Sequence, residues 1–348
     1  MLLNDGANTV SMYTVDSCSG TLTSATGGNA FGSESMAVDP GGRFAYVANL
    51  MSNAADLATI SMYTINSSTG VLTPTTPATV PTGYFPQGIT IDPSGKFVYT
   101  ANSDDNTVSM FTINPSTGVL TPTTPPTVAA GWSPGSVTVD PSGRFAYLAN
   151  QADDTVSMYT INASSGVLTP MTPATVSTGS SPFGVTVDPS SRFAYVPNAY
   201  DPNNTVTQYT LDSVTGLLTP NGEVAAGNQP TSVAVNPSSN AAYVVNRVDG
   251  TVSEYGIDSS GNLVPKNTIA TGQEPFRIAV DPAGIFAYVA NETGSVSIYA
   301  LNSNGSLTNV GGNGNHDRQC LIGGCDRNKE VAGPCVIERC ILRSQRFG

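Results

Sequence analysis

The sequence predicts an all-β fold, a β-propeller of four-stranded blades with seven positions: six full repeats plus a partial N-terminal blade. Three observations lead to this prediction. One pattern recurs six times at intervals of 45 to 53 residues. The composition favours strands and turns over helices. The predicted strands are apolar on both faces, as blades stacked around a ring require.

The composition is that of short strands joined by tight turns. The chain has 35 Gly and 25 Pro residues, and only 11% of its residues are charged. Thr, Ser, Asn and Val fill most of the rest, and these residues suit turns and pleated strands. The net charge of −12 argues against nucleic acid as a partner, because phosphate binding needs clustered Lys and Arg. The chain has no run of 18 apolar residues, so no membrane span is expected.

The repeat is recognised by the Asn residue that closes its second strand. An apolar strand leads into Asp-Pro-Ser-Gly, and the next strand reads Phe-Ala-Tyr-Val-Ala-Asn or a close variant. The closing residues are Asn49, Asn102, Asn150, Asn198, Asn246 and Asn291. Full repeats begin near residues 27, 80, 128, 176, 224 and 269, and a partial blade spans residues 1–25.

Each full repeat is predicted to contain four strands, as the second one illustrates. Its first strand spans residues 88–92, and Asp-Pro-Ser-Gly then turns the chain, since Pro presets φ and Gly accepts a positive φ. The second strand spans residues 97–102 and the third spans residues 107–114. An Asn-Pro-Ser-Thr-Gly turn leads into a fourth strand that begins at Val119.

The two faces of the predicted strands distinguish stacked blades from a lone sheet. Val108 and Met110 point to one face of the third strand, and Phe111 and Ile113 point to the other. A sheet with one face in water would alternate apolar and polar residues. Radial stacking is therefore favoured, and the competing parallel β-helix has turns much shorter than this repeat.

The two ends of the chain differ from the repeats. Residues 1–25 match the end of a second strand, a third strand and a fourth strand, so we expect the C-terminal part to supply the missing first strand in a closed ring. The propeller domain is predicted to span residues 1–311, and no cofactor or metal site is expected on it.

Residues 312–348 form a tail that contains Cys and Arg residues and that we expect to be poorly ordered. Its Cys320, Cys325, Cys335 and Cys340 are spaced C-x4-C-x9-C-x4-C, with His316 nearby. Such thiolates could bind zinc, and two disulfides are the alternative in an oxidising compartment. The abrupt change in composition favours the third interpretation, a non-native or poorly ordered terminus.

The Tyr-Val-x-Asn strand ends and the Asp-Pro-Ser-Gly-Arg/Lys-Phe turns resemble those of bacterial propellers with YVTN repeats. They also resemble the seven-bladed lactonase family, which includes 6-phosphogluconolactonase-like enzymes. The resemblance covers residues 1–311 and implies lactone hydrolysis. Family enzymes carry Pro-Arg-His before a first strand and Asn-Glu after the second strand of that blade. Here the sequence reads Pro275-Phe276-Arg277 and then Asn291-Glu292.

This comparison supplies the candidate catalytic residues. Phe276 stands where the family has Arg, and Arg277 stands where it has His. Lactone hydrolysis needs a base to activate water and a cation to hold the developing oxyanion. Arg277 is the candidate cation, and Glu292 or Glu274 is the candidate base.

The loops that lead into the first strands, here called the rim loops, carry side chains that vary while the strands barely change. Repeat scaffolds commonly build binding surfaces in this way. The alternative is that these aromatic residues fill gaps between blades. The predicted ligand-binding residues are Tyr84, Phe85, Gln87, Trp132, Phe183, Asn228, Gln273 and Phe276.

Two functions follow, and the sequence leaves open whether the protein is an enzyme. The first is a non-catalytic, monomeric binding scaffold that holds a protein, a glycan or a small lactone at the rim of the central channel. The alternative is a lactone-ring hydrolase. Residues 1–25 show no signal peptide. A periplasmic or extracellular location is nevertheless expected by analogy with related proteins.

Overall fold

The computed structural model describes residues 2–4, 9–29, 33–50, 58–199, 204–312 and 342–344. The elements in these ranges are β-strands and turns, with no helix among them. The strands form four-stranded sheets, which confirms an all-β propeller of four-stranded blades. No helix in the described part of the chain is long and apolar enough to cross a membrane.

Six sheets each consist of four consecutive strands, and they are here called repeats 1 to 6. Within each of these repeats every pairing is antiparallel.

Repeat 1 contains β4 (Ser33–Val38), β5 (Phe44–Asn49), β6 (Thr59–Ile65) and β7 (Leu72–Pro81). Repeat 2 contains β8 (Pro86–Ile91), β9 (Phe97–Asn102), β10 (Thr107–Ile113) and β11 (Leu120–Ala129). Repeat 3 contains β12 (Pro134–Val139), β13 (Phe145–Asn150), β14 (Thr155–Ile161) and β15 (Leu168–Ser177).

Repeat 4 contains β16 (Thr186–Val187), β17 (Phe193–Pro197), β18 (Thr205–Leu211) and β19 (Leu218–Ala225). Repeat 5 contains β20 (Pro230–Val235), β21 (Ala241–Asn246), β22 (Thr251–Ile257) and β23 (Leu263–Ala270). Repeat 6 contains β24 (Pro275–Val280), β25 (Phe286–Asn291), β26 (Ser295–Leu301) and β27 (Leu307–Gly312).

The remaining sheet, here called the N-terminal sheet, joins strands from both ends of the chain. It contains β1 (Leu2–Asn4), β2 (Thr9–Val15), β3 (Leu22–Asn29) and β28 (Leu342–Ser344). β28 pairs parallel with β1, whereas β1 pairs antiparallel with β2. Val10 and Met12 pack in one core cluster with residues of repeat 1. Tyr13 and Val15 pack against Phe286 and Tyr288 of repeat 6.

Carboxylates organise the turn between the first and second strands of a repeat. Asp140 Oδ1 accepts the N–H groups of Arg144 and Phe145 at 2.9 and 2.8 Å, and Oδ2 accepts the N–H of Ser142 at 3.0 Å. Asp140 is buried, so these bonds satisfy a carboxylate that would otherwise be costly to desolvate. They explain why Asp recurs here, because its side chain is the hydrogen-bond acceptor of the turn.

The Asn that closes each second strand is also structural. Asn150 is fully buried, and its Nδ2 donates to Thr155 Oγ1 at 2.9 Å and to Ser157 Oγ at 2.8 Å. Asn102 and Asn246 make the same pair of bonds in their own repeats. The Asn side chain therefore ties the second strand to the third just below the rim.

In repeats 1 to 5, a side chain of the third strand reaches the fourth strand of the following repeat. Met110 and Met158 accept the N–H groups of Leu168 and Leu218 through sulfur at 3.2 and 3.4 Å. In repeat 5 this position is Glu254, whose Oε1 accepts the N–H of Leu307 at 3.2 Å. Its Oε2 is buried without a hydrogen-bond partner, and burial raises the pKa of Glu254, with only partial opposition from Leu307, Asn267 and Lys266.

We expect Glu254→Gln to stabilise the protein above neutral pH. The folded state raises the pKa of Glu254 and so prefers the protonated carboxyl. The contribution of Glu254 to wild-type stability is therefore fully present below its pKa in the unfolded chain. That contribution is lost as pH rises through its pKa in the folded protein. Gln keeps the acceptor without the charge, as Gln208 already does toward Leu263 in repeat 4. The expected gain at pH 8 is about 1 kcal/mol, measured by urea unfolding.

The control is Glu223→Gln, which removes the same charge from an exposed position. The difference between Glu254→Gln and wild type is expected to vanish toward pH 4. Parallel stability curves from pH 4 to pH 8 would show that Glu254 carries no buried charge.

Candidate functional site

The first strands of the repeats line the central channel with small residues, except in repeat 6. In β24 the second residue after the first proline is Arg277. At the same position the other repeats carry Ser35, Gly88, Ser136, Gly184 and Ser232. All six positions line one cavity of about 410 Å³. The single long side chain therefore occupies space that five small residues leave open.

Arg277 extends from repeat 6 across repeat 5 toward repeat 4. A Cβ placed on Gly184 would lie 3.9 Å from Arg277 Nη1. The guanidinium carbon lies 5.8 Å from the ring centroid of Phe183 and 5.7 Å from that of Phe276. Arg277 makes no salt bridge within the part of the chain that the structure describes. Burial lowers the pKa of Arg277 to about 10, so it remains a cation at neutral pH.

Phe183 and Phe276 form a packed pair beneath the rim loops. Their ring centroids are 5.1 Å apart with an interplanar angle of 88°, an edge-to-face contact. Both are buried, and with Ala199 they form a small apolar cluster. Between them along the ring, Thr231 Oγ1 donates to the carbonyl oxygen of Phe276 at 2.9 Å. These two predicted binding residues thus lie inside the protein, next to the guanidinium of Arg277.

Glu292 lies at the same mouth of the channel and is held by an arginine of the preceding repeat. Arg247 Nε donates to Glu292 Oε1 at 3.2 Å, and Arg247 Nη2 donates to Oε2 at 2.8 Å. Arg247 Nη1 also donates to Gln229 Oε1 at 3.2 Å. Glu274 Oε2 is 3.7 Å from Arg247 Nη2. The side chain of Glu292 is 2% exposed and that of Glu274 is 59% exposed.

The protonation of Glu292 reflects opposing influences. Burial raises the pKa of Glu292, Arg247 lowers it, and the nearby carboxylate of Glu274 raises it again; the net shift is upward. A buried carboxyl group whose pKa is raised by its surroundings is a functional-site candidate. The predicted catalytic residues thus divide into a pair of carboxylates around Arg247 and a separate cation, Arg277.

Arg247 is a site residue that the sequence reasoning missed. It directly follows Asn246, just as Glu292 directly follows Asn291. Residues that directly follow the closing Asn of adjacent repeats face each other around the rim. The sequence signal for this pair was therefore an Arg at that position in repeat 5 and a Glu at the same position in repeat 6.

The exposed rim residues are anchored through their backbone. The N–H of Tyr84 donates to Asp105 Oδ2 at 2.7 Å, and the N–H of Trp132 donates to Asp153 Oδ2 at 2.6 Å. Asn228 makes the equivalent bond to Asp249 at 2.7 Å. The acidic turns between second and third strands therefore fix the rim loops.

The other predicted binding residues vary in exposure. Tyr84 is 57% exposed, Phe85 38% and Trp132 67%. Asn228 and Gln273 are exposed, and Gln87 is partly buried with its Oε1 3.4 Å from where a Cβ on Gly135 would lie. The structure thus places the predicted binding residues in two groups, an exposed aromatic rim over repeats 2 and 3 and a buried pair beside Arg277.

The described residues contain no group of three or more His, Cys, Asp and Glu side chains that could hold a metal ion. His316, Cys320, Cys325, Cys335 and Cys340 lie outside the described residues. Cys18 is an exposed cysteine of the N-terminal sheet and is in no disulfide within the described residues.

Comparison with known proteins identifies the class. The family model described as a lactonase with a 7-bladed β-propeller matches residues 21–131, 120–223 and 195–320. The chain belongs to this family, as the sequence motifs predicted. No curated protein matches the chain.

Solved structures with the same fold include two putative 6-phosphogluconolactonases from Bacteroides. That of Bacteroides uniformis ATCC 8492 has a TM-score of 0.75 and 19% identity, and the match covers 86% of this chain and 90% of that one. That of Bacteroides fragilis NCTC 9343 has a TM-score of 0.73 and 20% identity over 88% and 95% of the two chains. The periplasmic gluconolactonase of Pseudomonas aeruginosa has a TM-score of 0.71 and 20% identity over 86% and 90%.

We expect Arg247→Gln to destabilise the protein most where Glu292 is ionised. Removing one partner of a buried ion pair leaves an uncompensated charge, which costs about 3 kcal/mol. Arg247→Gln raises the pKa of Glu292 in the folded protein further above the pKa of Glu292 in the unfolded chain. The loss in the free energy of unfolding therefore grows from pH 4 to pH 8. Urea unfolding at several pH values measures it.

The matched control is Arg192→Gln, since Arg192 is an exposed arginine stacked on Phe193. It is expected to cost less than about 1 kcal/mol at every pH. A pH-independent loss in Arg247→Gln would mean that the variant acts through packing and not through the charge of Glu292.

Proposed function

We propose that this protein hydrolyses a lactone ring at the mouth of its central channel. The observation that carries the proposal is a buried carboxylate with a raised pKa, Glu292, at the same end of the channel as Arg277, a cation that has no ion pair among the described residues. Arg277 pairs in the sheet with Ala290, two residues before Glu292. Membership of the lactonase family supports the same reaction class.

The chemistry follows from these two groups. The Glu292 carboxylate accepts a proton from a water molecule as the water oxygen attacks the lactone carbonyl carbon. The negative charge that develops on the carbonyl oxygen is stabilised by the Arg277 guanidinium, which desolvation makes more effective than it would be in water. The ring C–O bond then breaks, and the leaving oxygen takes the proton from Glu292. The product is the open hydroxy acid.

Arg247 and Glu274 are assigned supporting roles in this scheme. Arg247 holds the Glu292 carboxylate by two hydrogen bonds and thereby orients it. The carboxylate of Glu274 raises the pKa of Glu292 and so makes it a stronger base. Phe183 and Phe276 keep water from the flanks of the Arg277 guanidinium.

We expect Arg277→Gln to lower kcat/KM for glucono-δ-lactone by about 100-fold or more, the usual effect of removing an oxyanion donor. Glu292→Gln is expected to lower it by at least a similar factor. In the wild type, kcat/KM should rise with pH through a pKa above that of an ordinary Glu. A pH-stat on a panel of sugar and aliphatic lactones measures these rates against the uncatalysed background.

Arg192→Gln serves as the charge-matched control and should hydrolyse lactone at the wild-type rate. Unchanged turnover in Arg277→Gln, or a flat trace with every lactone of the panel, would end the hydrolase proposal.

A second candidate, recognition of a glycan at the rim, is favoured by the exposure of Tyr84 and Trp132. They occupy equivalent positions in repeats 2 and 3, and hydrogen bonds to Asp105 and Asp153 hold their backbones. Rigid exposed aromatic side chains are common anchors of binding surfaces.

The rim function is testable because Trp132 is the only tryptophan of the chain. We expect a soluble oligosaccharide from a glycan panel to shift its fluorescence emission, and Tyr84→Ala to weaken that binding about tenfold. Val214→Ala, which shortens an exposed apolar residue elsewhere, is the control. An emission spectrum unchanged by every member of the panel would remove the proposal.

We further infer that the ring has seven blade positions, the N-terminal sheet being one of them. The family description as a 7-bladed propeller and the packing of that sheet against repeats 1 and 6 support this inference. We also propose that the protein is a monomer that works in the periplasm or outside the cell, by analogy with the Pseudomonas aeruginosa periplasmic gluconolactonase.

A further inference from the structure

We propose that the central channel contains a carboxylate-binding site at Arg277, which holds an open hydroxy acid more tightly than a neutral lactone. The proposal rests on the proposed function only in naming that acid as the reaction product. The site itself is inferred from the lining of the channel, and its ligand class is a small monoanionic carboxylate.

Arg277 has no counter-charge among the described residues of the cavity lining. Those residues include no Asp and no Glu, and Arg277 is their one charged side chain. Arg277 is partly buried, and burying a cation that has no ion pair among the described residues is costly. Two aromatic rings near 5.7 Å offset only part of that cost. Arg247, in contrast, already has its carboxylate in Glu292. The channel therefore contains a guanidinium whose positive charge an anionic ligand would balance.

Serine hydroxyl groups lie at the level of Arg277 and are available as donors. Ser232 Oγ accepts the N–H of Ile278 at 3.4 Å, and Ser35 Oγ accepts the N–H of Ile89 at 3.4 Å. Because these oxygens already serve as acceptors, their O–H groups remain to donate to a ligand. Deeper in the channel, Thr138 and Thr186 donate to the carbonyls of Val185 and Val233 and are already engaged. The available donors thus lie at the same level as the cation.

The charge and shape of the Arg277 guanidinium favour a carboxylate over a phosphate. One guanidinium matches one negative charge and presents a planar fork that fits both oxygens of a carboxylate. A phosphate monoester carries close to two negative charges at pH 7. Its second charge would have no partner in the lining of the channel, within a protein of net charge −12. The cavity of about 410 Å³ lies in the range of small-molecule pockets.

Hydrolysis would place the new carboxylate at this site. In the proposed reaction the lactone carbonyl lies at Arg277, and after ring opening the same carbon belongs to a carboxylate whose two oxygens share a full negative charge. The acid is therefore expected to bind more tightly than the neutral ring from which it forms, and to act as a competitive inhibitor.

The test is isothermal titration calorimetry of the whole protein at pH 7 and constant ionic strength, with sodium gluconate, inorganic phosphate and neutral sorbitol as separate probes. We expect gluconate to bind about tenfold more tightly than phosphate, and sorbitol not to bind. Arg277→Gln should weaken gluconate binding by about tenfold or more, as expected for a charged hydrogen bond. Arg192→Gln should bind gluconate as the wild type does.

The outcomes separate the two proposals. Gluconate binding that depends on Arg277, without turnover of any lactone, would end the hydrolase proposal and support the carboxylate site. Turnover that gluconate does not inhibit would overturn the carboxylate site and leave the hydrolase standing. Phosphate binding as tight as gluconate binding, or gluconate binding unchanged in Arg277→Gln, would also overturn it.

Folding of the variants does not limit the test. The comparison of gluconate, phosphate and sorbitol uses the wild type alone and can overturn the proposal by itself. Arg277→Lys, which keeps the charge and loses the planar fork, should bind gluconate more weakly than the wild type and more tightly than Arg277→Gln.

Discussion

The contact between a tyrosine of one repeat and a glycine of the next holds the repeats in their lateral positions. Tyr147 Oη donates to the carbonyl oxygen of Gly216 at 2.6 Å. Gly216 has a φ of +78°, and a Cβ there would collide with the ring of Phe145. Only glycine satisfies both conditions, because it adopts positive φ without strain and leaves room for the ring. The same bond recurs from Tyr46, Tyr99, Tyr195, Tyr243 and Tyr288.

The last of these bonds reaches the N-terminal sheet. Tyr288 of repeat 6 donates to the carbonyl oxygen of Gly20 at 3.2 Å, so residues at opposite ends of the chain use the contact that joins consecutive repeats. With each repeat bonded to its neighbour in this way, the first strands are held around the channel. Side chains that face the channel can then differ from repeat to repeat without disturbing the frame.

The frame gives its two arginines near the channel mouth opposite surroundings. Arg247 meets Glu292 and Glu274, so its charge is compensated. Arg277 meets aromatic rings and small residues and has no ion pair among the described residues. Arg247 directly follows the second strand of its repeat, whereas Arg277 lies within the first strand of its repeat. Function in a repeat scaffold is located at such departures from the consensus.

The strands, their turns and the propeller class were determined by the sequence alone. Alternation, Asp-Pro-Ser-Gly turns and the repeat spacing all act through hydrogen bonds and φ preferences of residues close in the chain, as at Asp140 and Asn150. The second strand of repeat 2 has the predicted bounds, whereas its fourth begins at Leu120 and not at Val119. The candidate residues Arg277 and Glu292 were also available, because one repeat contains both.

Only the tertiary structure decided which groups meet. The pairing of Arg247 with Glu292, the contact of Phe183 with Phe276 across repeat 5, and the absence of an acidic partner for Arg277 in the described channel lining all join different repeats. No local pattern encodes them, since they depend on how far each long side chain reaches around the ring. The physical reason is that the strands and turns of a repeat are determined by hydrogen bonds within that repeat. Charge pairing and desolvation at the channel depend instead on contacts between different repeats.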